Sequence, residues 1–243
     1  MRVTTSTSPR SSSSPAAAVA HHAHPASWVF SSRADGDLAV DALGVDATRA
    51  RLLSVAGGPP VAWNWLRQVH GHTVVVADRP GCHQGTEADA LVTDRPDVPL
   101  AVQTADCGAV VLTSPEGVVG AAHAGWRGLA AGVIQNTVRR MRALGAQEVV
   151  AHIGPMIHPE CYEFGTDDLA AVVEVLGFDV VGRTRTGAPA LDVPCAVVAA
   201  LAAADVDVAS SSPGCTACDA ERWYSHRARR ETGRMAAVVW MAS

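Results

Sequence analysis

Residues 100–123 read LAVQTADCGAVVLTSPEGVVGAAH, and the fold class is clearest from this part of the sequence. It contains three short apolar runs, 100–104, 109–113 and 118–123, which are typical of buried strands. Residues 114–117, Ser-Pro-Glu-Gly, have Pro and Gly where a tight turn needs them, so the second and third runs are predicted to form a hairpin. With the preceding run 88–93, four strands fall within about forty residues. This stretch is therefore the predicted sheet core.

Helical signals follow the core and alternate with further strands. Apolar residues at helical spacing between Leu129 and Leu144 predict a helix that ends at Gly145. Residues 61–69 and 73–77 are predicted to form a hairpin or a sharp reversal with His70 at its tip. The remaining predictions are strands at 28–33, 149–153 and 235–240, and helices at 46–55 (with Leu52 and Val55 facing inward), at 167–176 and after the N-cap Asp192. Mixed strands and helices without a linker predict one α/β domain.

Composition narrows the class of protein. The 243 residues are 48% hydrophobic and carry a net charge of −5, which favours one large folded domain and argues against nucleic-acid binding. No apolar run reaches the length of a membrane helix. All 19 basic residues are Arg, which excludes a Lys nucleophile or Schiff base.

The first 27 residues differ in composition from the rest. Residues 1–27 are rich in Ser, Thr, Ala and Pro, and their apolar patch is too short for a signal peptide. We predict a disordered tail at 1–27, a single catalytic domain at 28–243 and a cytoplasmic protein. In a reducing compartment, the six cysteines favour thiol or metal chemistry over a disulfide framework.

Three chemically active side chains lie at predicted strand ends: His70, Cys107 and His123. Two His and one Cys would give Zn²⁺ three protein ligands and an open fourth position, as in a catalytic zinc site. The alternatives are a small buried thiol for Cys107 and hydrogen-bonded surface positions for the histidines. The intervals of 37 and 16 residues match no zinc finger, so only the fold can bring the three together.

Arg127 is a candidate anion ligand. It lies in the Gly-flanked turn between His123 and the predicted helix, where free backbone N–H groups and a guanidinium suit phosphate or carboxylate. The alternative is that Arg127 braces the turn by bonding backbone carbonyls.

Other His and Cys residues have simpler interpretations. The pair Cys215 and Cys218 is interpreted as structural thiols, and Cys82 and Cys161 as loop or packing residues. The H-x-H pairs at 22–24 and 70–72 suggest copper, but a multicopper oxidase needs more histidines than these supply.

Several longer segments resemble the YfiH-type family, also called the multicopper-polyphenol-oxidase-like, purine nucleoside phosphorylase or peptidoglycan-editing-factor family. The resemblance covers roughly residues 60–240. It is carried by RQVHG (67–71), EADALVTD (87–94), VPLAVQTADCGAVVL (98–112), GAAHAGWRGLAAGV (120–133), IGPMIHPECYEFG (153–165), LDVP (191–194), CTACD (215–219) and WYSHRARRETGRMAAVVW (223–240).

The resemblance implies a single-domain α/β/β/α sandwich with mixed sheets. It also implies a zinc-dependent enzyme that phosphorolyses adenosine, inosine, guanosine and methylthioadenosine and deaminates adenosine. The family's catalytic and metal-binding His, Cys and His fall at His70, Cys107 and His123, and a substrate-binding Arg falls at Arg33. The glycine pair that normally follows this Arg is missing here, and the S-L-N-L stretch is absent.

Several functions stay open at this point. The implied partners are a nucleoside and phosphate, with no nucleic acid or membrane, and the oligomeric state is left open. Copper is the alternative metal. The alternative functions are a peptidoglycan-precursor editing amidase, a copper-dependent polyphenol oxidase, and a non-catalytic metal-binding module.

Overall fold

The computed structural model describes residues 18–23 and 25–243. In chain order its strands are β1 (Ala20–Ala23), β2 (Ala26–Phe30), β3 (Asn64–Arg67), β4 (Val74–Val76), β5 (Gln84–Glu87), β6 (Ala90–Thr93), β7 (Leu100–Thr104), β8 (Gly108–Ser114), β9 (Val118–Ala124), β10 (Val150–Ile153), β11 (Val181–Arg183), β12 (Pro189–Leu191), β13 (Asp207–Ser211) and β14 (Met235–Met241). The helices are α1 (Val45–Val55), α2 (Trp126–Ala130), α3 (Val133–Ala143), α4 (Thr166–Leu176), α5 (Val193–Ala202) and α6 (His226–Arg229).

Two six-stranded sheets form the centre of the fold. The first has the strand order β1-β2-β14-β7-β3-β5 and the second β13-β10-β8-β9-β6-β4, while β11 and β12 form a small separate pair. Both large sheets mix parallel and antiparallel pairs. The predicted hairpin is β8 and β9, and at its open end Ala109 lies opposite His123.

Strand alternation divides the core into three layers. On β14, Ala237 and Val239 face the second sheet, whereas Val238 and Trp240 face α1. On β8, Val111 faces the first sheet, and its neighbours along the strand face the helices of the other side. Because successive residues point to opposite faces, both sheets are apolar on both faces. The result is the expected α/β/β/α sandwich.

Of the two arrangements predicted for residues 61–69 and 73–77, the hairpin is wrong. The strand β3 pairs in parallel with β5 and β7 in the first sheet, whereas β4 pairs in parallel with β6 in the second. The β propensity of two neighbouring runs does not specify which strands they pair with. The chain between them crosses from one sheet to the other, and His70 lies on this crossing with a left-handed φ of 58°.

Folded structure begins before the predicted boundary at residue 28. Residues 20–23 form β1, which pairs antiparallel with β2, and Ala26 and Ser27 are buried. Backbone hydrogen bonds with β2 order residues 20–23, although few of their side chains are apolar. The prediction for residues 1–17 and 24 lies outside the described residues.

Two helix predictions need correction. The single helix predicted from Leu129 is divided into α2 and α3 at Gly132, where φ is +85°. In α1, Leu52 is buried as predicted, but Val55 is 66% exposed, and Leu53 packs inward instead. None of the described helices has the length and apolarity needed to cross a bilayer.

Candidate active site

The side chains of His70, Cys107 and His123, hereafter the metal trio, converge at the open end of the β8–β9 hairpin. His123 lies near the end of β9, and Cys107 immediately precedes β8. Their potential ligand atoms all lie within 4.8 Å of one another, and Cys107 Sγ is 3.9 Å from His70 Nε2. The histidine rings are 4.8 Å apart, edge to face. The fold therefore brings together the three residues that the sequence offers as candidate metal ligands, and their roles stay a prediction.

Asp89, which is not among the candidates that the sequence offers, holds the His123 ring and the backbone of His70. Its fully buried carboxylate accepts a 2.8 Å hydrogen bond from His123 Nδ1. It also accepts from the backbone N–H groups of Val69, His70 and Gly71 at 3.2, 2.9 and 2.7 Å. One carboxylate thus holds the His70 loop and occupies Nδ1 of His123, so that Nε2 of His123 is left to face Cys107 and His70. A second ligand sphere of this kind is typical of metal-binding histidines.

Gly125 provides the space for this arrangement. A Cβ at this position would lie 2.7 Å from His70 Cδ2, 3.4 Å from His123 Cε1 and 3.5 Å from Cys107 Sγ. Its backbone angles are ordinary extended ones, so the requirement is for space and not for a left-handed conformation. Any side chain here would intrude among the three candidate ligands.

The residue before Cys107 is also held in place. Asp106 is buried and has a left-handed φ of 99°, a costly conformation for a residue other than glycine. Its carboxylate accepts 2.6 Å hydrogen bonds from Thr216 Oγ1 and from the backbone N–H of Arg227. Its carbonyl accepts from the N–H of Ile157. These contacts fix the backbone that presents Cys107.

The electrostatics of the trio favour a thiolate. Burial raises the pKa of the Cys107 thiol, but the attraction of His123 and hydrogen bonds with both histidines outweigh burial and lower that pKa to about 6. Burial likewise lowers the pKa of His123, but Cys107 and Asp89 raise it to about 9. Burial raises the pKa of Asp89, whereas its hydrogen bonds with His123 and backbone N–H groups hold it below the usual value. Thiolate is the form of Cys that binds metals.

The donor set fits a zinc or copper ion. Two imidazoles and one thiolate suit both metals. Tetrahedral zinc with ordinary bond lengths places sulfur and nitrogen ligands about 3.5 Å apart, close to the observed separation of Cys107 and His70. The residues of the trio can therefore hold one metal ion with little movement.

The trio opens into a cavity of about 670 Å³, a size suited to a small ligand. Its lining includes four guanidinium groups and two aromatic rings, those of Arg67, Arg127, Arg227, Arg234, Trp126 and Tyr162. Gln68 and Gln103 also line it, and the Gln68 side chain is fixed by two 2.7 Å hydrogen bonds to the Gln103 backbone. The buried Nε2 of Gln103 has no hydrogen-bond partner in the described residues.

Arg127 differs from the other arginines of the cavity. Its exposed guanidinium lies 4.2 Å from the centre of the Trp126 ring. By contrast, Arg227 donates to the carbonyl of Glu163, and Arg234 donates to carbonyls of its own turn. Because α2 has only five residues, its dipole contributes little to the electrostatic potential of the cavity, which depends mainly on the side chains.

Arg33 lies outside the lining of this cavity. Its guanidinium donates 2.6 Å and 3.1 Å hydrogen bonds to Glu231 and to the carbonyl of Trp223, and it stacks on Tyr224. The structure therefore does not bring Arg33 together with the trio. Arg33 instead anchors the segment that carries Arg227.

A two-sheet α/β sandwich with a His-Cys-His group at the end of its central hairpin defines the class of this protein. A family model described as multi-copper polyphenol oxidoreductase laccase matches residues 32–242, and the chain belongs to this family. It is 42% identical to a purine nucleoside phosphorylase of Streptomyces griseus over 211 residues, 85% of each chain.

Solved structures agree with the family and its fold. A Neisseria meningitidis protein of the DUF152 family matches with a TM-score of 0.80 and 28% identity, over 93% of this chain and 99% of that one. The YfiH protein of Bacillus licheniformis matches with a TM-score of 0.77 and 25% identity, over 89% and 92% of the two chains. The resemblance to YfiH-type proteins is confirmed.

Proposed function

We propose that this chain is a zinc-dependent purine nucleoside phosphorylase that accepts adenosine, inosine, guanosine and methylthioadenosine and also deaminates adenosine. The observation that carries the proposal is one cavity that the metal trio shares with the Arg127 guanidinium and the Gln103 amide N–H₂, both without a hydrogen-bond partner among the described residues. The names of the curated relatives support the phosphorylase activity. We place the reaction in the cytoplasm, where the cysteines stay reduced.

In this proposal His70, Cys107 and His123 are the catalytic metal ligands. Bound zinc supplies a Lewis acid that stabilises developing negative charge or activates water. Asp89 keeps His123 in the tautomer that presents Nε2, because its carboxylate accepts from Nδ1. Because His70, Cys107 and His123 all line the cavity, a metal ion held by them would be accessible to substrate and water from that side.

Phosphate is assigned to Arg127. In phosphorolysis a phosphate oxygen forms a bond to the sugar C1′ while the bond from C1′ to the purine breaks and the base departs. A guanidinium holds phosphate through two parallel hydrogen bonds, and that of Arg127 is exposed to the cavity. In deamination, water adds to the purine carbon that bears the amino group and ammonia leaves, so oxygen replaces nitrogen. This reaction needs no phosphate, so Arg127 serves only phosphorolysis.

The nucleoside is assigned to Gln103 and Trp126. The free Nε2 of Gln103 is a buried donor, and a substrate acceptor would remove the cost of leaving it unsatisfied. The partly buried Trp126 ring offers an aromatic surface for a purine. Arg33, which is paired with Glu231, supports the wall of the cavity and does not contact substrate in this proposal.

Copper chemistry of the multicopper kind has less support. Three groups in the described residues gather at least three potential ligand side chains, and among these only the metal trio contains two histidines. Coupled copper centres need more imidazole ligands than one such group provides.

The test uses purified full-length protein of measured metal content. We expect hypoxanthine to appear from inosine only when phosphate is present, and ammonia to appear from adenosine without phosphate. Zinc-loaded protein that consumes no nucleoside would overturn the proposal. Oxygen uptake with a polyphenol, or cleavage of a peptidoglycan precursor by the same preparation, would then identify the alternative. The Cys107→Ala variant controls for contaminating enzymes.

A further inference from the structure

Three of the six cysteines meet outside the candidate active site. Cys161 ends the short helical turn at 159–161, while Cys215 and Cys218 lie on the loop between β13 and α6. Their sulfur atoms lie within 4.8 Å of one another, and those of Cys161 and Cys218 are 3.4 Å apart. An isolated bridge between Met156 and Cys215 holds the two segments together. We call these three residues the thiol cluster.

The spacing of the thiol cluster suits a metal ion. Zn–S bonds of about 2.3 Å in a tetrahedron put sulfur ligands about 3.8 Å apart, whereas a disulfide requires about 2.05 Å. All six cysteines are free thiols in the structure. The three sulfur atoms are therefore spaced like three of the four ligands of a structural zinc site.

Two donors already face the sulfur atoms of the cluster. The backbone N–H of His158 donates to Cys215 Sγ at 3.4 Å. The Arg185 guanidinium donates to Cys218 Sγ at 3.0 Å. Three thiolates and one divalent zinc carry a net charge of −1, which the adjacent Arg185 offsets.

A fourth ligand is within reach. The imidazole of His158, the carboxylate of Glu160 and Cys215 Sγ also lie within 4.8 Å of one another. Imidazole is the usual partner of three thiolates in structural zinc sites. His158 is part of the same short segment as Cys161, so both ligands would move together.

We propose that Cys161, Cys215 and Cys218, with His158 as the fourth ligand, form a second zinc site that is structural and separate from the metal trio. Coordination replaces the protons of three thiols, so binding of one Zn²⁺ releases three protons and forms three Zn–S bonds. With four protein ligands the site has no open position for substrate or water.

This site would fix one wall of the catalytic cavity. Tyr162, which follows Cys161, lines the cavity, and Arg227 stacks on it with Cζ 4.4 Å from the ring centre. Thr216, which follows Cys215, donates to the Asp106 carboxylate next to Cys107. Zinc at the thiol cluster thus joins two segments that both contact the cavity.

The first experiment measures zinc and its ligands in full-length wild-type protein, purified from zinc-supplied cells under reducing conditions. We expect about two zinc ions per chain and, by X-ray absorption, an average of about two sulfur ligands per zinc, because one site supplies one thiolate and the other three. Cys107→Ala should retain about one zinc with about three sulfur ligands. This measurement on wild-type protein does not depend on the folding of a variant.

The second experiment changes the cluster at its exposed member. Cys218→Ser should lose about one zinc per chain and lower the Tm by about 5–10 °C, while Cys195→Ser, which changes an exposed cysteine on α5, should keep both. About one zinc per chain that Cys107→Ala removes and Cys218→Ser does not would overturn the proposal. A chain about 2 Da lighter, with Cys161 joined to Cys218 by a disulfide, would also overturn it.

The outcomes separate this inference from the proposed function. One zinc with about three sulfur ligands, lost in Cys218→Ser and kept in Cys107→Ala, would support the thiol cluster and contradict metal binding by the trio.

Discussion

The metal trio and the thiol cluster both contain cysteine, but the pKa of the thiol is lowered in the trio and raised in the cluster. Cys107 lies between two imidazoles, and the attraction of His123 outweighs burial and lowers its pKa to about 6. Cys161 lies beside two other thiols, and burial together with hydrogen bonds and repulsion from Cys218 and Cys215 raise its pKa to about 12. The comparison shows that neighbouring charges, and not burial alone, decide which sulfur is a thiolate before a metal binds; at the thiol cluster, metal binding must displace the protons.

The two groups also differ in how they are enclosed. The trio offers three ligands, is oriented by the buried Asp89 carboxylate and opens into the cavity. The thiol cluster has His158 nearby as a potential fourth ligand, and the backbone N–H of His158 donates to Cys215 Sγ. Open sites with three protein ligands are typical of catalysis, and closed sites with four are typical of structural zinc.

The largest effect is expected from Cys107→Ala. Removing the thiolate of the trio should reduce phosphorolysis and deamination together by at least about 10³-fold, since both depend on the same metal ligand set. The matched control Cys195→Ala removes an exposed thiol outside both groups. Rates of both reactions and zinc content, measured on one preparation, test the prediction. Retention of either activity would show that the trio is not the shared centre.

Asp89→Asn tests the support of the trio. The variant keeps the shape of the side chain but replaces the carboxylate that accepts from His123 and from three backbone N–H groups. We expect zinc affinity at the trio to fall by about 100-fold, with activity partly restored by added zinc. Competition with a chelator measures the affinity. Asp94→Asn, at an exposed position, is the control, and an equal loss in both variants would contradict the role of Asp89.

Arg127→Ala separates the two reactions. Loss of one or two charge-assisted hydrogen bonds to phosphate should reduce phosphorolysis or raise the phosphate KM by about 10–100-fold. Deamination should change little, because it uses water. Arg140→Ala, an exposed arginine on α3, controls for surface charge. A parallel fall in both rates and in Tm would instead indicate that Arg127 braces the turn.

His152 lies outside both groups, and its pKa is shifted in the direction opposite to that of His123. It is buried, stacks on Trp28 with ring centres 3.7 Å apart, and hydrogen-bonds Ser210. Burial, reinforced by the nearby His21, lowers its pKa to about 4, whereas His123 with charged partners has a pKa of about 9. The unfolded chain protonates His152 near pH 6.5.

The sign of the stability effect follows from these pKa values. Below pH 6.5 the unfolded state binds the extra proton, so the contribution of His152 is full above pH 6.5 and is lost as the pH falls toward 4. This group should lower the free energy of unfolding by about 1–2 kcal/mol between pH 7 and pH 5. Denaturant unfolding at several pH values measures the slope. The His152→Gln variant should show a smaller change in the free energy of unfolding between pH 7 and pH 5 than the wild type. The control His72→Gln, at an exposed position, should behave as the wild type does. Equal pH dependence in His152→Gln and the wild type would refute the role of His152.

Local sequence determined the elements whose signals are local. The Pro-Gly turn at 114–117 joins β8 to β9, with Gly117 N–H donating to the Ser114 carbonyl. The N-cap Asp192 accepts from the N–H of Cys195 as predicted. Turns and caps involve residues three or four apart, so the chain needs no distant partner to specify them.

The sequence alone also selected the three candidate metal ligands, because His70, Cys107 and His123 lie near predicted strand ends and within motifs of a recognisable family. Other features depend on contacts between segments that are far apart in the chain. Pairing of β3 and β4 in different sheets placed His70 on a crossing, and the pairing of β6 with β9 brought Asp89 to His123. The same is true of Cys161 and Cys218, which are 57 residues apart. Long-range contacts depend on sheet register and layer packing, which no single stretch of sequence contains.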